Sequence, residues 1–378
     1  MQNKEPLVSI CTTFFNPGRY IHRFLDSSLN QTYKNIEVVL VDNASTDDSE
    51  KIIKEYAARD SRVKYFRNPE GLGITDSLMR TFKLAQGDFV IWPGADDWLA
   101  RDYITNGVES FLRHPDAAGI VPWVIGLHEI EGVGFELDDD STFPSKTYSS
   151  EWLMRRMYRS KISLCITQLA LVRRKDAVSF MNYFLKNYCH NPSMPEELRE
   201  LYLKKAFGID IVFLIEILTR YKNFVWDNTL RYIKIRHSEN ISFDVYRLDS
   251  VFGIFKYYYY ILLSYQHLYK FQWPKFYSGM KIYSGLDVLS AVIVYFIKSG
   301  LHPSFWDIRK SRMQILQFFS DFSAFEITAV VMLLIPMIIS RFLLAIIRRI
   351  PQKDERKDRE LRIFTGENFL DSEGRFKA

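Results

Sequence analysis

Four apolar, β-branched runs alternate with amphipathic stretches over the first hundred residues, and this alternation constrains the chain more than any other feature. Leu7 to Thr13, Ile36 to Val41, Val63 to Phe66 and Asp88 to Trp92 read as strands. Between them, Arg19 to Asn30, Asp47 to Arg59 and Ile74 to Ala85 carry apolar residues at helical spacing, and Ser45 with Asp48 fits a capping box for the second helix. Strands and helices that alternate in this way build a mostly parallel sheet between helices. Right-handed crossovers then bring the carboxyl ends of the first, second and fourth strands to one edge. Open α/β sheets bind ligands at that edge, so Thr13, Asp42 and Asp96 are expected to share one crevice.

The fourth run ends in Pro93-Gly94-Ala95-Asp96-Asp97. Adjacent carboxylates repel, and they are stable in a strand-end loop only when solvated or neutralised by a cation. Mg²⁺ or Mn²⁺ bridging a diphosphate would neutralise them, because hard ions take carboxylate and phosphate oxygens together. A plain surface turn is the alternative. The chain has neither GxGxxG nor GxxxxGK[ST], which disfavours the dinucleotide and P-loop routes to phosphate binding. Asp42 fits two roles: accepting hydrogen bonds from a ribose or base, or capping the helix that follows.

With 378 residues, the expectation is one large and one smaller unit. A net charge of +5 gives no indication of a nucleic-acid partner. The three cysteines, Cys11, Cys165 and Cys189, lack CxxC spacing, which fits a reducing compartment and argues against a disulfide scaffold or zinc site. The opening Met1 to Pro6 has no apolar core of a secretory signal.

A series of motifs resembles the family 2 glycosyltransferases, inverting enzymes of the GT-A fold. The matching pieces are Val8-Ser9-Ile10 through Asn16, Gln31-Thr32-Tyr33, Glu37 through Val41 and Asp42-Asn43-Ala44-Ser45-Thr46-Asp47. Asn68 with Gly71-Leu72-Gly73, Ala85 through Val90, Ala95-Asp96-Asp97 and His114-Pro115-Asp116 continue the series. The resemblance is dense over residues 6–125 and thinner to about 245. It implies an α/β fold of the GT-A nucleotide-diphospho-sugar transferase type over 1–245, followed by a helical, aromatic-rich region over 246–378.

The resemblance also assigns roles. Thr13, Phe15, Asn16, Asp42, Asn43 and Gly71 would bind the nucleotide, and Asp96 and Asp97 would hold the sugar-nucleotide and its Mn²⁺ or Mg²⁺. Asp210, in Gly208-Ile209-Asp210, would be the catalytic base, although on its own it reads as a helix N-cap. His237 would sit near the diphosphate and metal, with Arg236 or Lys234 on phosphate. The family's usual Asp-x-Asp-Asp begins here with Gly94, and its second acid after the second strand is Asn43, which adds an N–H₂ donor.

These features imply transfer of a sugar from a nucleotide-sugar donor to a glycan or lipid-linked acceptor. One rival reading is a sugar-1-phosphate nucleotidyltransferase, which should carry a Gly-rich, Arg-containing first loop. The other is a non-catalytic nucleotide-sugar scaffold, with Gly94 marking decay of the site.

Three further expectations concern the remaining sequence. Asp138-Asp139-Asp140-Ser141 reads as an acidic loop, either plainly solvated or a lid. Trp92, Trp98 and Trp123 suit either ligand stacking or core packing. Residues 327–340 carry no charge, and 327–347 nearly reaches bilayer length, with Pro336 and Arg341 inside it and a basic tail beyond. A peripheral, re-entrant or single-span attachment at the cytoplasmic face of a membrane follows, with a buried helix of a homo-oligomer as the alternative.

Overall fold

A computed structural model describes residues 5–130, 134–141, 144–150, 152–153, 169–192, 196–205, 209, 213, 220–221, 223–236, 322–328 and 330. The chain divides into two compact units. The first holds Met1–Met154, Ile162–Asn240 and Leu361–Ala378, and the second holds Arg155–Lys161 and Ile241–Glu360.

In the first unit, β1 (Val8–Phe14), β2 (Ile36–Asp42), β3 (Val63–Arg67) and β4 (Phe89–Ile91) alternate with α1 (Ile21–Leu29), α2 (Ser49–Arg59) and α3 (Ile74–Leu84). Then follow β5 (Trp98–Leu99), α4 (Tyr103–Arg113), β6 (Ala117–Ile130), β7 (Gly134–Ser141), β8 (Lys146–Ser149), β9 (Leu171–Arg173), α5 (Arg174–Phe184), α6 (Glu196–Lys205) and β10 (Asn223–Arg236). The described strands form one sheet in the order β3-β2-β1-β4-β9-β6-β10-β5, with β7 on β6 and β8 on β10. β3, β2, β1 and β4 are mutually parallel. β9 runs antiparallel between β4 and β6, and β10 is again parallel to β6. This mixed, mostly parallel sheet between helices is the GT-A arrangement expected from the sequence.

Every residue of β2 is buried, as befits a strand covered by helices on both faces. α1 presses Ile21, Phe24 and Leu25 onto the sheet, and α4 adds Tyr103, Ile104, Val108 and Phe111. Cys11 and Cys189 are buried free thiols, and burial raises the pKa of both. Cys165 lies outside the described residues.

Three local expectations change. α2 begins at Ser49 without a side-chain cap, so the Ser45–Asp48 capping box does not form. Ser45 Oγ instead accepts the Asn16 N–H at 2.9 Å, and Asp47 accepts the Ser49 N–H at 3.1 Å. The acidic stretch 138–141 belongs to strand β7, whose backbone pairs with β6; charges of this kind suit the edge of a sheet. The apolar stretch Leu230–Ile235 predicts a strand, and β10 starts seven residues earlier, at Asn223. Its apolar pattern is broken by Asp227-Asn228-Thr229, where the pairing with β6 jumps from Trp226 to Arg231.

In the second unit the described residues include a short helical turn after Ser323. Ser323 Oγ accepts the Glu326 N–H at 3.2 Å while Glu326 accepts the Ser323 N–H at 2.7 Å, a reciprocal cap. Phe325 is 74% exposed. No helix among the described residues is long and apolar enough to cross a membrane. The remainder of 327–347 lies outside the described residues.

Candidate active site

The parallel strands end on one edge, and four connections gather there. The loop after β1 is tied to the loop after β2: the Asn16 N–H donates to Ser45, Asn16 Oδ1 accepts the Thr46 N–H at 2.8 Å, and the Gly18 N–H donates to Asp47 at 2.7 Å. Asn16 and Ala44 both hold positive φ, 55° and 66°. Non-glycine residues rarely adopt that region, and it concentrates at functional sites. The twist leaves the Phe15 ring 60% exposed at the mouth of the crevice.

Asp42 sits at the crevice floor, fully buried. It accepts the Ser45 N–H at 2.7 Å on one oxygen, and Tyr65 Oη at 2.8 Å and Arg67 Nη1 at 2.7 Å on the other. Arg67 also donates to the Ser45 carbonyl at 2.8 Å. Of the two roles open to Asp42, the geometry favours organising the loop that precedes α2. Strand register could have found its partner, since Arg67 stands directly opposite Asp42.

Asn43 closes a ring with the third loop. Its Oδ1 accepts the Leu72 N–H at 2.8 Å, and its Nδ2 donates to the Leu72 carbonyl at 2.8 Å. An aspartate could make only the first of these bonds. Buried Asn68 also donates to Asn43, at 2.9 Å, and to Ser77, at 3.1 Å. Ser77 meets Thr13 Oγ1, which also donates to the Val41 carbonyl at 3.1 Å. Thr13 thus lies within this network, half-buried. Gly71 is exposed, and a β-carbon there would make only ordinary contact with the Asn43 carbonyl at 3.9 Å. The packing-critical glycine is Gly73, where a β-carbon would collide with the Leu203 backbone.

The fourth connection carries the acids. Gly94 to Asp97 is a tight turn closed by the Asp97 N–H on the Gly94 carbonyl at 3.2 Å. Asp97 is buried, and Asp96 is partly exposed. β10 holds Asp97 from both sides: Tyr232 Oη donates to Oδ2 at 2.6 Å, and the Ile235 N–H donates to Oδ1 at 2.9 Å. Burial, and then the neighbouring Asp96, push the Asp97 carboxyl up to about 7, against the opposing pull of Lys234. Burial and the Asp97 charge likewise raise Tyr232.

Gly94 permits this arrangement. A β-carbon there would strike Asp96 Oδ1 and come within 2.8 Å of Asp97 Oδ2. Here the two acids that follow Gly94 fold back over it.

Tyr232 and the supporting role of β10 went unseen in the sequence. The signal was the period-two pattern in which Tyr232, Lys234 and Arg236 share one face. Ile233 and Ile235 pack with Trp98, Ala100 and Leu127 in an apolar cluster. Trp92 meets Phe82 and Phe213 edge-on, at 5.3 and 4.7 Å, and Trp98 is buried beneath Arg23. Both therefore serve packing.

Of the other expected residues, Arg236 ends β10, where its backbone pairs with His128. Its side chain, Asp210 and His237 lie outside the described residues. The neighbours Ile209 and Phe213 are helical and buried. Among the described residues, no three His, Cys, Asp or Glu side chains converge as a complete metal cluster. The Asp96–Asp97 pair nevertheless fits a divalent cation. Among the described residues each Asp97 oxygen accepts one protein donor, which leaves lone pairs for a cation, and a cation would offset the burial and the Asp96 charge that raise the Asp97 carboxyl.

The model of glycosyl transferase family 2 matches residues 9–177. This domain belongs to glycosyltransferase family 2. The family 2 domain is similar to an uncharacterized glycosyltransferase of Haemophilus influenzae, 35% identical over 109 residues, which covers 29% of this chain and 44% of the relative. It is also similar to the putative glycosyltransferase EpsH of Bacillus subtilis, 31% identical over 162 residues, or 42% of this chain and 45% of the relative. The chain thus spans less than half the length of these relatives. Among solved structures, S. aureus TarS 1–349 in complex with UDP-GlcNAc is 16% identical with a TM-score of 0.55, covering 86% of this chain and 81% of that one. That likeness confirms the fold.

Proposed function

We propose that the chain is an inverting glycosyltransferase that moves a sugar from a nucleotide-diphosphate sugar to a hydroxyl of a glycan or lipid-linked acceptor. The observation that carries the reading is the convergence of the Phe15, Asn43 and Leu72 loops with the Asp96–Asp97 turn at one sheet edge. The glycosyltransferase names of the relatives support it.

In this reading Phe15 stacks on the nucleobase, and Thr13, Asn16 and Asn43 line the nucleoside slot. Asp42 holds the slot in shape, and Gly71 leaves room at its mouth. Asp96 and Asp97 hold Mn²⁺ or Mg²⁺, with His237 as a further ligand and Arg236 on the diphosphate. A cation there supplies charge neutralisation for the leaving diphosphate. Asp210 takes the proton from the acceptor hydroxyl as its oxygen attacks the anomeric carbon, and the nucleoside diphosphate departs from the opposite face. No covalent nucleophile is needed.

The C-terminal region attaches the enzyme to the cytoplasmic face of a membrane. Its charge-free run and basic tail support that placement, as does the exposed Phe325 at the start of the run.

The test is donor hydrolysis by the purified chain across a panel of UDP-, GDP-, ADP- and dTDP-sugars, with Mn²⁺ or with chelator. Release of free sugar and nucleoside diphosphate from one donor class, abolished by chelator, is the expected result. Absence of hydrolysis and of binding for every donor would overturn the reading. Production of a nucleoside triphosphate from a nucleotide-sugar and pyrophosphate would replace it with nucleotidyl transfer.

A further inference from the structure

We infer that Tyr232 is a positioning residue for the metal and diphosphate site, its hydroxyl locking the Gly94–Asp97 turn so that Asp96 is preset at the turn's tip. The inference rests on the metal reading proposed above and deepens it.

Tyr232 Oη meets both ends of the turn. It donates to Asp97 Oδ2 at 2.6 Å and accepts the Gly94 N–H at 3.3 Å. Residues 94 and 97 are the first and last of the turn that their own backbone hydrogen bond closes. Asp96, the third residue, is carried on a segment fixed at each end. The Ile235 N–H holds the other Asp97 oxygen, so Asp97 cannot rotate to release the turn.

The phenol itself is well anchored. Tyr232 is buried, its ring lies edge-on to Tyr103 at 6.4 Å, and its strand is paired to β5 and β6 on either side. A rigid sheet therefore dictates the acid geometry, while the loop supplies the acids. Outer partners of this kind orient ligands, and their loss typically weakens metal binding about 10- to 100-fold.

The arrangement also explains why glycine suits residue 94. A β-carbon would approach Asp97 Oδ2 within 2.8 Å, and Tyr232 holds that oxygen in place.

The experiment is Tyr232→Phe in the full-length chain, which keeps the ring and removes the hydroxyl. Mn²⁺ affinity is measured directly by the electron paramagnetic resonance signal of free Mn²⁺, alone and with added UDP, alongside kcat and KM for donor hydrolysis. Tyr103→Phe is the control, since it keeps the ring beside Tyr232 and removes a buried hydroxyl that is bonded to the Leu169 carbonyl instead of to the turn.

Expected is roughly tenfold weaker Mn²⁺ binding and a lower kcat in Tyr232→Phe, with Mn²⁺ affinity unchanged in Tyr103→Phe despite a comparable fall in Tm. Unaltered Mn²⁺ affinity in folded Tyr232→Phe, or equal losses in the two variants, overturns the inference. Wild-type protein that binds no Mn²⁺ defeats the metal reading itself, and the inference with it. Should Tyr232→Phe not fold, Gly94→Ala loads the same turn from its other side. Weakened Mn²⁺ binding there supports the lock, and wild-type affinity refutes it.

Discussion

Asp97 should make the metal-free domain less stable as the pH rises, and replacing it with asparagine should remove that loss. The folded carboxyl titrates near 7 instead of 3.8, chiefly because it is buried and secondly because Asp96 adjoins it. Between those two values the unfolded chain has released a proton that the folded chain retains. Stability therefore falls as pH rises from about 4 to about 7, and the full loss is present above 7. A displacement of about three pH units corresponds to roughly 4 kcal/mol at 1.36 kcal/mol per unit. For a domain of this size that is a Tm difference of about 10 °C.

In Asp97→Asn the amide oxygen can accept the Ile235 N–H, and the amide nitrogen can donate to Tyr232 Oη, so both contacts survive without charge. The assay is thermal unfolding in EDTA at pH 5, 6, 7 and 8 for wild type and variant, since titrating groups that do not interact with Asp97 are shared and cancel in the difference. The variant should match or trail wild type at pH 5 and exceed it at pH 8. Mn²⁺ at pH 8 should restore wild type alone. Parallel pH profiles for the two proteins would refute the assigned burial and coupling of Asp97.

Asp96→Asn should abolish Mn²⁺-stimulated donor hydrolysis with little change in Tm, because the side chain is partly exposed; full turnover in saturating Mn²⁺ would remove Asp96 from the metal site. Phe15→Ala should raise the donor KM about tenfold while leaving kcat and Tm near wild type, as expected of a ring that is 60% exposed in the free protein; an unchanged KM would exclude base stacking. Asp210→Asn should keep donor affinity and lose about 10²-fold or more in transfer, whereas an early-melting variant with normal turnover would make Asp210 a helix cap only. Deleting residues 325–378 should shift the protein from the membrane to the soluble fraction with donor hydrolysis intact. Recovery of full-length protein without detergent would end the membrane proposal.

Much of the scaffold was legible because its causes are local and periodic. β2 is apolar from Val38 to Val41 because it is covered on both faces, and α1 and α3 show their buried stripes in residue spacing. Chain order and crossover hand then suffice to bring Thr13, Asp42 and Asp96 to one edge. The adjacency of Asp96 and Asp97 needs no fold to be recognised as an electrostatic cost.

Tertiary structure decided what each polar group does. Whether Asp42 faced ligand or protein depended on Arg67 and Tyr65 arriving from β3, contacts that exist only once β2 and β3 pair in register. Asn43 became a clamp because the Leu72 backbone lies within reach of its amide. Ser45 left its expected cap because Asn16, twenty-nine residues earlier in the chain, presents a competing N–H. The roles of Gly94 and Tyr232 are legible only together, since residues separated by more than a hundred positions meet at one turn. Hydrophobic periodicity survives as a one-dimensional signal because burial concerns a whole face. A hydrogen bond requires particular atoms within about 3 Å at a workable angle, and only the folded chain supplies those coordinates.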